Sequence, residues 1–134
     1  MKGSHRPNYF DDNQFDDLLA KYEQMIGQGE LYYFDVEDFE QIIEHYLDIN
    51  KTGKALNAVR YAFRLHPNAF TLVIKKAQIH LRNKNPQRAL STLREIQGLE
   101  ASNNEFYLTS GHAHLLMGDQ KNAEQYYQQA LQQV

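Results

Sequence analysis

The stretch NEFYLTSGHAHLLMGDQKNAEQYYQQALQQV, residues 104–134, reads as a helix from Glu105 to Met117, a break at Gly118-Asp119, and a second helix from Gln120 to Gln133. It decides the fold because it recurs. Shifting the chain on itself by 34 residues superposes Ala55, Ala89 and Ala123, each just after a turn, with no insertion between them. The same shift stacks Tyr46, His80 and His114; Leu47, Leu81 and Leu115; Phe39, Val73 and Tyr107; and Ile43, Ala77 and Gly111. Small residues in two of these columns are what closely approaching helices require, since a bulky side chain there forces the pair apart.

Working outward, the upstream segments carry the same alternation of helix and break. Phe15, Leu18, Leu19, Tyr22, Met25 and Ile26 form one apolar helical stripe over 12–26, and Gly27-Gln28-Gly29 stops it. Leu31 to Phe34 is rich in aromatics and passes for a short strand, but Asp35-Val36-Glu37-Asp38 follows as an N-cap with acids in the first turn, so the segment reads as a packed connector. The helix so capped runs to Ile49 and breaks at Asn50-Lys51-Thr52-Gly53. Lys54–Leu65, Phe70–Leu81 and Gln87–Ile96 follow, with Pro86 suited to the first turn of the last of these. The expectation is an all-α chain of about seven helices without strands.

These columns resemble the tetratricopeptide repeat family, whose W-x2-L-G-x2-Y…A-x3-F…P pattern lies on a 34-residue helix-turn-helix unit. The third unit matches best, through Tyr107, Gly111, Gly118-Asp119, Ala123, Tyr127 and Ala130; the first keeps Phe39, Tyr46, Ala55, Ala62 and Pro67. The middle unit keeps Ala77, Ala89 and Leu93 and departs at Lys76, Ile96 and Ala101. The resemblance implies a right-handed superhelical solenoid with a concave and a convex side. On this reading 1–11 is a flexible tail, 12–35 an N-terminal capping helix with its connector, and 36–69, 70–103 and 104–134 are three repeats.

Composition narrows the chemistry. No cysteine is present, which removes disulfides, thiol nucleophiles, iron–sulfur clusters and Cys-ligated zinc. No run approaches the roughly 18 apolar residues of a membrane span, and the opening MKGSHRPNYFDD has no signal-peptide core, so a cytoplasmic protein without membrane association is expected. The net charge of −3 conceals a segregation: residues 1–50 hold 12 acids and 3 bases, residues 51–100 hold 10 bases and 2 acids. Such segregation acts on partner choice rather than on fold.

No phosphate-binding glycine loop, nucleophile elbow or H-E-x-x-H stretch occurs, so neither an enzyme nor a cofactor is expected. His112 and His114 are two apart, point about 200° apart on a helix and cannot share a metal ion; His80 and His114 stand in a tyrosine column and read as packing residues. Glu37, Glu40 and Glu44 share a helical face but lack the opposed wall an acid pair for glycoside chemistry needs.

The same glutamates serve better as a binding surface. In the resembled family the first helix of each pair lines the concave groove, and the matching positions are Glu37, Glu40, Glu44 and Leu47, then Thr71, Ile74, Gln78 and Leu81, then Glu105, Leu108, His112 and Leu115. Acidic at one end and apolar along one edge, this groove suits a protein or peptide segment carrying Lys or Arg beside an apolar anchor. Members that clamp an acidic chaperone tail use cations and amides where Glu40, Glu44 and Glu105 stand, which disfavours that role. The alternative is a nucleic-acid-associated adaptor using Lys54, Arg60, Arg64, Arg88 and Arg94 on the convex face, weakened by the lack of interleaved exposed aromatics. At the far end Tyr127 and Leu131 lack a following repeat to cover them, which predicts a weak homodimer through the last helix.

Overall fold

The computed structural model describes residues 12–98 and 103–133; the tail at 1–11 and Ala101 lie outside the described residues. Seven helices and no strand occur among them: α1 (Asp12–Gln28), α2 (Val36–Asp48), α3 (Thr52–Leu65), α4 (Phe70–Arg82), α5 (Pro86–Arg94), α6 (Asn104–Leu116) and α7 (Gln120–Gln132). They pack as the pairs α2–α3, α4–α5 and α6–α7, and each first helix also contacts the first helix of the next pair. The arrangement is an all-α helical repeat solenoid.

The start of α2 is set by a reciprocal capping box. The Asp35 carboxylate accepts from the Asp38 backbone N–H at 2.9 Å, and the Asp38 carboxylate accepts from the Asp35 N–H at 3.1 Å. Asn85, Asn103 and Asp119 cap α5, α6 and α7 in the same sense, each side chain accepting from a backbone N–H three residues on.

The repeat is written most clearly in the backbone at the turn inside each pair. Asn50, Lys84 and Gly118, spaced by 34, all take the left-handed conformation, with φ of 59°, 60° and 79°. The following N–H then reaches back five residues: Lys51 to the Tyr46 carbonyl at 2.8 Å, Asn85 to His80 at 2.9 Å, Asp119 to His114 at 2.9 Å. Such a closure satisfies carbonyls the helix end would otherwise leave open. Only the third turn uses glycine; Asn and Lys accept the conformation at some steric cost because the closing bonds hold it.

Three boundaries differ from expectation. Gly27 lies inside α1, which stops two residues later at Gly29, where φ is +73°. Gly53 lies inside the first turn of α3, exposed and unhindered. α5 ends at Arg94 instead of Ile96 and gives way to a turn over 95–98, closed by Gly98 at φ +98°. Ile96 is buried all the same.

The core divides in two. The larger part gathers Tyr22 and Met25 of α1, Phe34 of the connector, Phe39, Ile42, Ile43 and Tyr46 of α2, the alanine-lined face of α3, and Leu72 and Ile79 of α4. Tyr22 sits at its centre, edge-on to Phe34, Phe39 and Tyr61, so α1 acts as a cap glued by rings. The smaller part holds Ile74, Ala77, Ala89, Leu93, Ile96, Phe106 and Ala113. Ala55, Ala89 and Ala123 are all buried, which is why their column admits no larger side chain.

Candidate functional site: a groove across the first helices

An open groove of about 540 Å³ crosses α2, α4 and α6. Eight of the twelve residues expected to line it do so: Glu44, Leu47, Gln78, Leu81, Glu105, Leu108, His112 and Leu115; Thr71 lies outside it. Nor does Ile74 line it. It is fully buried in the smaller core, because α6 packs over the face of α4 that carries it, whereas its third-repeat counterpart Leu108 is 36% exposed. Glu37 and Glu40 sit on α2 outside the groove floor, on the turns nearer its N-terminus.

Sequence reading missed Lys75, which governs the charge of the groove. Its ammonium lies 2.8 Å from the Glu44 carboxylate on α2 and 3.7 Å from that of Glu105 on α6, tying three first helices together. Lys75 is buried, and burial by itself lowers its pKa; its hydrogen bond to Glu44 and the charges of Glu105, Glu44 and Glu40 outweigh it and hold the pKa above the ordinary lysine value. Glu44 and Glu105 thus share one ammonium, which offsets one of their two charges, and with Glu37 and Glu40 the acidic edge stays net negative. One signal was legible: Lys75 stands three residues after Leu72 and four before Ile79, on the helix face that carries these apolar residues.

The opposite edge is basic. The Arg82 guanidinium donates to the Leu47 carbonyl at the C-terminal end of α2, at 2.8 Å, and Lys84 stands beside it in the left-handed turn. Charge thus segregates by edge rather than by face. Acids occupy the N-terminal turns of α2 and α6, where they complement the helix dipoles, and Arg82 does so in the last turn of α4. Between the edges lie Leu47, Leu81, Leu108, Leu115 and Leu116, the last two each 52% exposed.

The histidines serve as packing groups. His112 meets Tyr127 edge-on at 5.7 Å and His114 stacks on Tyr126 at 5.2 Å, so the two rings diverge. His114 Nδ1 also lies 3.4 Å from the Asp119 carboxylate, whose pKa is held low by hydrogen bonds from Asn122 and by this neighbour. Among the described residues, no three His, Asp or Glu side chains gather to hold a metal. The five outer bases are all exposed, Lys54 and Arg88 at one pair of equivalent positions and Arg60 and Arg94 at another, with Lys54 also lying over the Tyr46 ring and Arg64 over that of Tyr61. Among the described residues no helix is long and apolar enough to cross a membrane.

Two sequence models described as tetratricopeptide repeat match the chain, one over residues 41–105 and one over 105–133. No curated protein and no solved structure matches it. Since the matched residues run without a gap from within α2 to the end of α7, the chain belongs to the tetratricopeptide repeat family, whose repeats generally mediate protein–protein interaction.

Proposed function

We propose that this chain is a non-catalytic adaptor that captures a segment of a partner protein in the groove across α2, α4 and α6. The observation that carries the reading is the exposed leucine strip lying between an acidic and a basic edge. Apolar side chains of the partner anchor on Leu81, Leu108, Leu115 and Leu116, which supplies affinity by removing apolar surface from water. Orientation comes from the edges: a Lys or Arg of the partner faces Glu37 and Glu40, and an acidic residue faces Arg82 and Lys84. Because Glu44 and Glu105 share Lys75, they offer a partner cation one net charge between them, less than Glu37 and Glu40 do.

Selection of a random displayed-peptide library against the chain tests this. Enriched peptides are expected to pair a leucine or aromatic anchor with Lys or Arg, and to lose binding to a Leu115→Glu, Leu116→Glu variant. Glu37→Lys with Glu40→Lys should remove the preference for basic peptides while leaving the anchor. Binding undiminished in the leucine variant would place the site elsewhere. Tight binding of random RNA that falls steeply with salt, lost in Arg60→Glu, Arg94→Glu, would transfer the function to the outer face of α3 and α5, which carry no acidic residue.

A further inference from the structure

A second cavity, of about 300 Å³, opens where α1 meets the first helix pair. Residues of α1, Tyr46 of α2, and Lys54 and Asn57 of α3 wall it, and it shares no residue with the groove. The Glu23 carboxylate of α1 accepts from the Tyr46 hydroxyl through Oε2 at 2.6 Å, while the Lys54 ammonium lies over the face of the same ring, 5.8 Å from its centre. Two opposite charges thus flank Tyr46, one at its rim and one at its face. Among the described residues no ion pair closes between them.

Tyr22, on the same wall as Glu23, is 1% exposed, yet its hydroxyl is buried without a hydrogen-bond partner. Its ring lies 6.4 Å from that of Tyr46, so it belongs to the same polar cluster. Burial, then the neighbouring Tyr61 and Glu23, raise its pKa, which keeps the hydroxyl protonated and able to donate. An unmade hydrogen bond of this kind costs stability that a phenylalanine would not cost. Gly27 completes the wall, and a Cβ there would stand in open space although the residue is helical.

The gap belongs to the repeat architecture, but its charges do not. Two repeats on, a cavity of about 210 Å³ occupies the same seam, with Leu90, Arg94 and His114 where the first has Tyr22, Ile26 and Tyr46. Among the described residues no carboxylate lines that second cavity. Of the two, the first alone sets an acid and a base around an unsatisfied phenol. A guest of one sign would meet a like charge at one wall, whereas a guest carrying both signs would not.

We propose that this cavity binds a free amino acid with an apolar side chain. Glu23 accepts from its ammonium, Lys54 and the Asn57 carboxamide donate to its carboxylate, and the Tyr22 hydroxyl gains in that carboxylate the acceptor it lacks. The apolar side chain rests on Ile26. A volume of about 300 Å³ stands at the small end of ligand pockets, which suits a molecule of this size.

Thermal shift and calorimetric titration of the full chain with the common free L-amino acids, each at about 10 mM, test the proposal, since a ligand of the native state raises the melting temperature by mass action. Leucine, isoleucine, methionine or phenylalanine is expected to give the shift. The N-acetyl and methyl ester derivatives of the same amino acid, each lacking one charge, should not. Glu23→Gln, which keeps an acceptor for Tyr46, and Tyr22→Phe should each weaken binding about tenfold or more. Tyr22→Phe should at the same time raise the melting temperature of the chain alone, which separates loss of binding from loss of fold. Gly27→Leu should fill the cavity and abolish binding with helix content undiminished. No shift with any apolar amino acid, an equal shift with the capped derivatives, or binding undiminished in Tyr22→Phe or Gly27→Leu would each overturn the proposal.

Discussion

At the amino-terminal end of the array α1 lays Tyr22 and Met25 onto Phe34, Phe39 and Tyr46, and all five are at most 3% exposed. At the other end α6 and α7 meet through Gly111, Ala113, Ala123 and Ala130, and their larger apolar groups, Leu115, Leu116 and Leu131, face outward. The same 34-residue grammar has been filled with fully buried rings at one end and, Phe106 apart, with small side chains and half-buried rings at the other. Close helix approach is thus available from either filling, but large buried area comes only from the first. Tyr46 shows the cost of the aromatic solution: its hydroxyl is carried inside, must donate to Glu23 at 2.6 Å, and has its pKa pushed up by burial and by that carboxylate.

The largest expected effect tests this contrast directly. Phe39→Ala should cost about 3–5 kcal/mol in urea unfolding, because it empties the centre of the ring cluster. Tyr126→Ala, which removes a half-buried ring stacked on His114, should cost about 1 kcal/mol. Equal losses would show that the two ends are energetically alike after all. Next, Ala89→Leu should destabilise by about 1–3 kcal/mol through overpacking, with Ser91→Leu on the exposed side of α5 as the control. An unchanged melting temperature for Ala89→Leu would mean that its column is not a close helix contact.

A smaller effect separates packing from propensity at the carboxy-terminal pair. Alanine for glycine inside a helix gains about 0.5–1 kcal/mol. At Gly111 that gain should appear only in a Tyr127→Ala background, since the wild-type ring occupies the space of the new Cβ. A double-mutant cycle reads the coupling; additive effects would mean that the ring swings away freely.

The smallest expected effect concerns pH. Burial, with Arg88 and Lys76 nearby, lowers the pKa of His80 below the usual histidine value, and its Nε2 is buried without a hydrogen-bond partner. The unfolded chain therefore takes the proton more readily. The stability tied to neutral His80 is complete above about pH 6.5 and is lost as pH falls below it. Melting temperature should fall modestly between pH 7.5 and 5.5, and His80→Phe should flatten that slope. Asp119, whose pKa is held low, acts in a separate window, its contribution being lost only as pH falls below about 4. A slope unchanged in His80→Phe would assign the effect to another group.

Much of the fold was legible because it depends on local pattern. The alanine column, the capping Asp35, Pro86 in the first turn of α5 and the connector ending at buried Phe34 all follow from residue type and spacing. The helix ends were less legible: Gly27 and Gly53 read as breakers, yet both lie inside helices whose tertiary contacts outweigh the modest cost of an exposed glycine. At the groove, the leucines and Gln78 were found by register, while Ile74 was misplaced, because the depth of a position depends on which helix comes to lie over it.

By itself the sequence determined the period, the helix pairs, the caps and the column of small residues, since these are set by interactions spanning a few residues and repeated every 34. Tertiary structure alone decided the charge of the groove. Lys75 and Glu44 are 31 residues apart, Lys75 and Glu105 are 30 apart, and Arg82 reaches Leu47 across 35. Which acids are free and which share a cation depends on how consecutive first helices are offset as they stack. That offset is fixed by the fit of buried side chains across the inter-repeat interface, a property of volumes in contact and not of any one stretch of sequence.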